Sequence, residues 1–232
     1  MRRREVSTAQ LFDELFARYD SWFERNRVTA ENEVKLVEYM VKGAPRPILE
    51  VGIGTGYFAS RLGVEAGLDP SFNMLSIARS RGVELLVKAV GENMPFREGA
   101  FGTVLIIVTL CFVDDPIAVL RESHRVLRDG GTLIACIIPK DSSWGEHYEE
   151  LGRKGHPFYS KARFFTLREV MEMLETAGFK IEGAVGTLSY TPDEEPRYEE
   201  PSSHIEGRGF ICLKAAKATQ RSPEGQLKTS SQ

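Results

Sequence analysis

Apolar residues along this chain recur with a period that switches between helical and strand spacing, and the switches divide it into alternating elements. Over 7–25, Leu11, Phe12, Leu15, Phe16, Tyr19, Trp22 and Phe23 fall at i, i+3, i+4 and i+7 among Asp13, Glu14, Arg18 and Asp20, predicting one amphipathic helix. A second helix is predicted over 30–42, with Val34, Val37, Tyr39, Met40 and Val41 apolar and Gly43-Ala44-Pro45 ending it. Ile48, Leu49 and Val51 read as a buried strand, and Gly67-Leu68-Asp69 as a second, short one. Ser71 can cap a helix running to Arg79 through Met74, Leu75, Ile77 and Ala78. Strands at 84–89 and 104–108, a helix over 116–128, and a strand over 132–138 after the turn Asp129-Gly130-Gly131 continue the alternation. The stretch 139–160 breaks it. Thr166 and Glu169 then form a capping box for a helix ending at Ala177-Gly178, and strands near 180–190 and 210–215 close the chain. The whole predicts one α/β domain, doubly wound about a mostly parallel, helix-flanked sheet.

Length and composition agree with a single domain. The 232 residues can bury a large core, with no internal repeat to suggest an array. Residues 1–43 are expected to be a helical lid segment of the same domain and 44–216 its body, with 139–160 inserted; 217–232, polar and nearly free of large apolar residues, are expected to be a disordered tail. A formal charge of −3, from 30 basic and 33 acidic side chains, offers no electrostatic footprint for nucleic acid. The longest apolar run, 104–113, is short of the ~20 residues needed to span a bilayer, so no membrane partner is expected. Met1-Arg2-Arg3-Arg4 is followed by Glu5-Val6-Ser7-Thr8 rather than an apolar core, so no export signal is read and a cytoplasmic location is expected. Cys111, Cys136 and Cys212 lie in apolar, strand-like runs without metal-ligand spacing and are expected to be buried thiols; no metal site is expected.

Candidate chemistry concentrates where the first strand meets the following helix. Gly52, Gly54 and Gly56 alternate through a tight turn, leaving the backbone without Cβ atoms where a ligand must come close, and the next helix begins with its N–H groups facing that ligand. Asp69 ends the second strand 19 residues after Glu50, near the ~20-residue interval at which a second-strand carboxylate reaches a ribose over the first loop. A carboxylate accepts two hydrogen bonds at once, which suits a vicinal diol. A dinucleotide and another adenosine-bearing cofactor both satisfy that logic, but the dinucleotide fingerprint G-x-G-x-x-G is not the G-x-G-x-G found here.

The ordered motifs E-V-G-I-G-T-G at 50–56, Asp69-Pro70-Ser71, Glu92-Asn93-Met94-Pro95-Phe96 and Val126-Leu127-Arg128-Asp129-Gly130-Gly131 resemble class I S-adenosylmethionine-dependent methyltransferases of the small-molecule type, over about 11–214. The resemblance implies a seven-stranded Rossmann-like sheet whose last strand is antiparallel, and methyl transfer from S-adenosylmethionine to a small-molecule acceptor. It also implies that Glu50, Gly52, Gly54 and Gly56 face the methionine part, that Asp69 holds the ribose hydroxyls, and that Pro70 belongs to the same cofactor site. Met74, Gly91, Glu92, Asn93, Met94 and Thr109 complete the expected cofactor site, with Tyr19 covering it from the N-terminal segment. Val90 stands where the family commonly has an acid for the adenine amino group, so backbone near Gly91 and Glu92, or the Glu92 side chain, is expected to serve. Cys111 and Phe112 stand where histidine is frequent.

In-line displacement asks mainly for proximity and orientation, so no catalytic residue is obligatory. His147, Tyr148 and His156, in the aromatic 139–160 insertion, are the candidates should a base be used. Asp114 or Asp115, ahead of Pro116, is expected to cap the next helix, and His124 to face solvent. Tyr19, Trp22, Trp144 and Tyr148 are the expected walls around the acceptor. Ile205-Glu206-Gly207-Arg208 would also suit a processing protease, but its place between two strands favours a hairpin connection. A non-catalytic cofactor-binding or regulatory protein and, on weaker grounds, a nicotinamide-dependent oxidoreductase are the alternatives. The acceptor, its methylated atom and the oligomeric state stay open.

Overall fold

The computed structural model describes residues 7–218. The predicted 7–25 helix is two helices, α1 (Thr8–Glu14) and α2 (Phe16–Arg25), with Leu15 between them at φ −111° and ψ 21°. That one-residue break lets α1 lie along a different part of the molecule from α2. Helix α3 (Arg27–Val41) follows, starting three residues earlier than its apolar stripe suggested. Strand β1 (Ile48–Val51), the short helix α4 (Ala59–Leu62), β2 (Ala66–Asp69) and α5 (Phe72–Ser80) form the first half-sheet, and the expected Ser71 cap accepts from the Met74 N–H.

Strand β3 (Leu85–Lys88), β4 (Phe101–Ile107), α6 (Pro116–Val126) and β5 (Leu127–Ile137) come next. Asp115 caps α6 by accepting from the Ala118 N–H, as the aspartate before proline implied. Asp129-Gly130-Gly131 is not a separate turn: β5 already begins at Leu127, paired with Phe101, and the irregularity is absorbed as a register shift between Phe101 and Thr103. The insertion contains a regular helix, α7 (Ser143–Arg153), capped by Ser142. Helix α8 (Leu167–Thr176) has the expected Thr166–Glu169 capping box, and β6 (Phe179–Thr187) and β7 (Phe210–Lys217) close the sheet. Lys217, expected in the tail, ends β7 with its ammonium donating to the Leu127 carbonyl at 2.8 Å; the rest of the expected tail beyond 218 and the basic 1–4 lie outside the described residues.

All seven strands form one sheet in the order β3-β2-β1-β4-β5-β7-β6, with only β7 antiparallel to its neighbours. Side chains alternate across it: Leu105 and Ile107 of β4 join the core under α2, α3 and α7, whereas Val104 and Ile106 join the core under α6 and α8. Two sequence expectations are corrected. Cys136 and Cys212 are not thiols but a disulfide, because β5 and β7 run antiparallel in a register that sets these two residues directly opposite, with Cα atoms 3.9 Å apart; Cys111 is a buried free thiol. His124 is half-buried, edge-on to Phe179 at 5.2 Å, because α6 packs against the start of β6, and that burial holds its imidazole below the usual histidine range. Among the described residues no helix is long and apolar enough to cross a membrane.

Candidate functional site

The chain leaves β1 through Gly52, Gly54 and Gly56, all in the left-handed region at φ +71°, +53° and +72°. The glycines serve two purposes. A Cβ on Gly52 would come within 2.4 Å of the Thr109 side chain, and one on Gly56 within 3.0 Å of the Ala78 backbone, so these two serve close packing. Gly54 meets only the Tyr19 ring, at an ordinary 3.5 Å, and it borders open space.

That space is a cavity of about 460 Å³ beyond the carboxyl ends of β1, β2 and β4, where ligands sit in doubly wound sheets. Its floor is Gly52, Gly54, Asp69 and Pro70; Met74, Val90, Gly91 and Glu92 form one wall, Thr109 and Phe112 another, and Phe12 and Tyr19 the roof. Asp69 is buried, with one carboxylate oxygen accepting from the Gly54 N–H at 3.0 Å and the other from the Ser71 N–H at 2.9 Å. Burial outweighs these donors and pushes its carboxyl up to about 6. Glu50, 2% exposed beneath the loop, has its Oε2 without a hydrogen-bond partner among the described residues, and burial together with the nearby Asp69 charge pushes it up to about 8. The Glu92 carboxylate accepts from the Asp114 and Asp115 N–H groups at 3.0 and 3.3 Å, tying the loop after β3 to the loop after β4.

A second cavity, of about 100 Å³, adjoins the first and shares Phe12, Tyr19, Ile107, Val108 and Phe112 with its lining. Trp22, Phe23, Phe58, Tyr148, Phe158 and Tyr159 make it aromatic, and Glu33 and His156 are its buried or half-buried polar members. His156 has its Nδ1 buried without a partner among the described residues, and burial, with Arg18 and Arg25 nearby, holds the imidazole below its ordinary range.

Helices α1 and α2 cover both cavities, and two aspartates pin them to opposite ends of α5. Asp13 accepts from the Ser71 hydroxyl at 2.7 Å and the Asn73 N–H at 3.0 Å. Asp20 accepts from both terminal guanidinium nitrogens of Arg81, at 2.7 and 2.8 Å, and from the Thr55 hydroxyl at 2.6 Å. Arg81 also donates to the Thr55 carbonyl in the glycine loop. Burial opposes ionisation of Asp20, yet the Arg81 and Thr55 hydrogen bonds hold its carboxyl below the usual range.

Of the residues singled out from sequence, Tyr19, Gly52, Gly54, Asp69, Pro70, Met74, Gly91, Glu92 and Thr109 line the larger cavity, and Tyr19, Trp22, Tyr148 and His156 the smaller. The others fall elsewhere. Asn93 is exposed, and Met94 is buried in the core under α6; Gly56 packs on Ala78. Glu50 lies beneath the loop. His147 lines neither cavity, its ring standing edge-on to Tyr148 at 5.6 Å. Trp144 is core, its indole N–H donating to the Tyr190 carbonyl at 2.7 Å and its ring covering Gly209. Glu33 was missed although its signal was present: an acid in the stripe Ala30, Val37 and Met40 of an otherwise ordinary amphipathic helix. Among the described residues no cluster of potential metal ligands occurs.

Residues 49–135 match the family model described as a methyltransferase domain. A solved structure of a SAM-dependent methyltransferase from Thermotoga maritima, described as a possible histamine N-methyltransferase, superposes with a TM-score of 0.84 at 35% identity, covering 89% of this chain and 98% of that one. An uncharacterized protein of Methanocaldococcus jannaschii is 36% identical over 89% of this chain and 98% of its own length. An uncharacterized protein of Mycobacterium tuberculosis is 40% identical over 86% and 71%.

Proposed function

Because the chain belongs to the S-adenosylmethionine-dependent methyltransferases, we propose that its larger cavity binds S-adenosylmethionine and its smaller cavity a small-molecule methyl acceptor. The observation that carries this reading is the shared lining: the two cavities adjoin along Phe12, Tyr19, Ile107, Val108 and Phe112, so an acceptor among the aromatic rings borders the space proposed for the cofactor. The residues present suit the cofactor. Asp69 has a second lone pair on each oxygen for a ribose diol, Gly54 leaves the loop open, and the unpartnered Glu50 oxygen gives a cationic methionine part a buried counter-charge. When bound, the cofactor supplies a methyl carbon on a sulfonium, released as the carbon–sulfur bond breaks onto sulfur.

The protein's own contribution is proximity and water exclusion. Lid helices α1 and α2 close the roof, and the rings of α2 and of the segment around α7 leave little room for a polymer. The experiment is calorimetric titration of the full chain with S-adenosylhomocysteine, followed by methylation assays against small amines, alcohols, thiols, RNA and intact protein. Amines belong in that panel because of the description of the Thermotoga maritima relative. Turnover confined to RNA or to intact protein would overturn the small-molecule reading.

A further inference from the structure

Glu33 sits in the apolar stripe of α3 between Ala30 and Val37, both fully buried, and is itself 5% exposed. It lines the smaller cavity, and burial alone acts on its carboxyl, pushing it up to about 8. Among the described residues it has no ion pair and no hydrogen bond. An acid in this position weakens the core, because desolvating a carboxylate without a partner costs several kcal/mol. The groups facing it do not neutralise that cost. Arg18 and Arg25 of α2 line the same cavity, but Arg25 donates to the Ser21 carbonyl and neither pairs with Glu33. Tyr148 of α7, Tyr159 and His156 line the same cavity and pack on one another, Tyr148 and Tyr159 with centroids 4.3 Å apart and Tyr159 stacked on His156 at 4.4 Å. A cavity lined mostly by aromatic rings, with one buried and unpaired carboxyl in its wall, is complementary to a small cation on an apolar body.

We propose that Glu33 is the recognition group for the acceptor and that the acceptor is a small primary or secondary amine on an apolar body, bound as its ammonium ion. This deepens the functional reading above and rests on it. The ammonium cannot accept a methyl group while its nitrogen holds four bonds, so Glu33 has a second task. The N–H bond breaks with its pair left on nitrogen, an O–H bond forms on the Glu33 carboxylate, and the freed lone pair becomes the nucleophile. After transfer the methylated ammonium leaves, and Glu33 returns its proton to solvent. Burial raises the carboxyl toward the range of amine ionisation, which lessens the cost of that proton transfer. A hydroxyl acceptor would need a hydrogen bond but no counter-charge.

The test is calorimetric titration of the full chain, loaded with S-adenosylhomocysteine, with benzylamine and benzyl alcohol and with butylamine and butanol, in two buffers of different ionisation heat. The amine of at least one pair should bind roughly tenfold or more tighter than its alcohol, and the buffers should reveal proton exchange with the amine alone. Glu33→Gln should erase that preference while leaving affinity for S-adenosylhomocysteine within about twofold. Because the variant's packing could change, difference infrared spectroscopy of the native chain gives a second readout: benzylamine should convert a buried protonated carboxyl band into a carboxylate band. Amines that bind no better than their alcohols, no amine binding by cofactor-loaded protein, or an unchanged preference in Glu33→Gln would overturn the amine assignment and leave the cofactor reading standing. Failure to bind S-adenosylhomocysteine would overturn the reading beneath it.

Discussion

Replacing Asp69 by Asn should separate the stability of the site from its use. In the native protein the Gly54 and Ser71 N–H groups donate to different oxygens of Asp69. Asn can satisfy only one of them through its own oxygen and presents an NH2 group to the other. That loss, at roughly 1.5–3 kcal/mol for a hydrogen bond to a charged group, destabilises the fold. Working against it is the cost of holding a buried charge. A carboxyl raised from 3.8 to about 6 loses about 3 kcal/mol of stability above that pH, at 1.36 kcal/mol per unit, and Asn removes the penalty. The two nearly cancel, so thermal or urea unfolding at pH 8 should move by only about 1 kcal/mol. Cofactor binding has no such compensation. A diol that donates to one charged acceptor loses roughly 1.5–3 kcal/mol, or about ten- to a hundredfold in Kd for S-adenosylhomocysteine by calorimetry. In the native protein that Kd should also rise as pH falls through about 6, because the carboxyl takes up a proton, and the variant should lack this dependence. An unchanged Kd in Asp69→Asn, or a pH profile identical in both proteins, would refute the assignment.

Other expected outcomes follow from the same geometry. Gly54→Ala places a methyl at φ +53°, where strain is roughly 1 kcal/mol, but in ordinary contact with Tyr19; it should fold and bind S-adenosylhomocysteine at least about tenfold more weakly. Gly56→Ala adds backbone overlap with Ala78 to similar strain and should show the larger loss in urea unfolding, about 2–3 kcal/mol. Arg81→Leu removes the guanidinium clamp on Asp20 and should speed cofactor dissociation in stopped-flow experiments by roughly ten- to a hundredfold; an unchanged rate would mean that α2 is not a lid. Glu33 and Glu50, both raised from 4.5 to about 8 by burial, ionise earlier in the unfolded chain. The unfolded state therefore binds fewer protons between about pH 4.5 and 8, and cofactor-free stability should fall by several kcal/mol as pH rises through that window. Glu33→Gln should flatten the slope.

The site was legible wherever its logic is local. Three glycines between a strand and a helix, a serine two residues after Asp69, and Thr166 three residues before Glu169 all act within one turn of chain, and sequence reports them directly. The sheet was legible because β-strand and helix periods alternate, which leaves few ways to bury both faces. What escaped depends on who meets whom at long range. Cys136 and Cys212 pair through a strand register set 76 residues apart. Trp144 is core because Gly209 leaves room for its ring, and Met94 faces the α6 side of the sheet although the motif around it runs beside the cavity. Glu33 was visible as an exception to its stripe, but only the placement of α7 and Tyr159 opposite α3 turns that exception into a cavity wall.

The attachment of the lid to α5 bears on how the proposed ligands enter and leave. Ser71 donates its N–H to Asp69 and its hydroxyl to Asp13, so the group expected to grip the ribose and the group holding α1 share one residue. The far end of the same helix holds α2 through Arg81, which also grips the glycine loop at Thr55. If α1 and α2 act as the proposed lid, their departure uncovers both cavities together, and the two proposed ligands share one opening. Release of cofactor and release of acceptor should therefore be accelerated together in Arg81→Leu, measured by stopped-flow dissociation of each; acceleration of one alone would refute a shared opening.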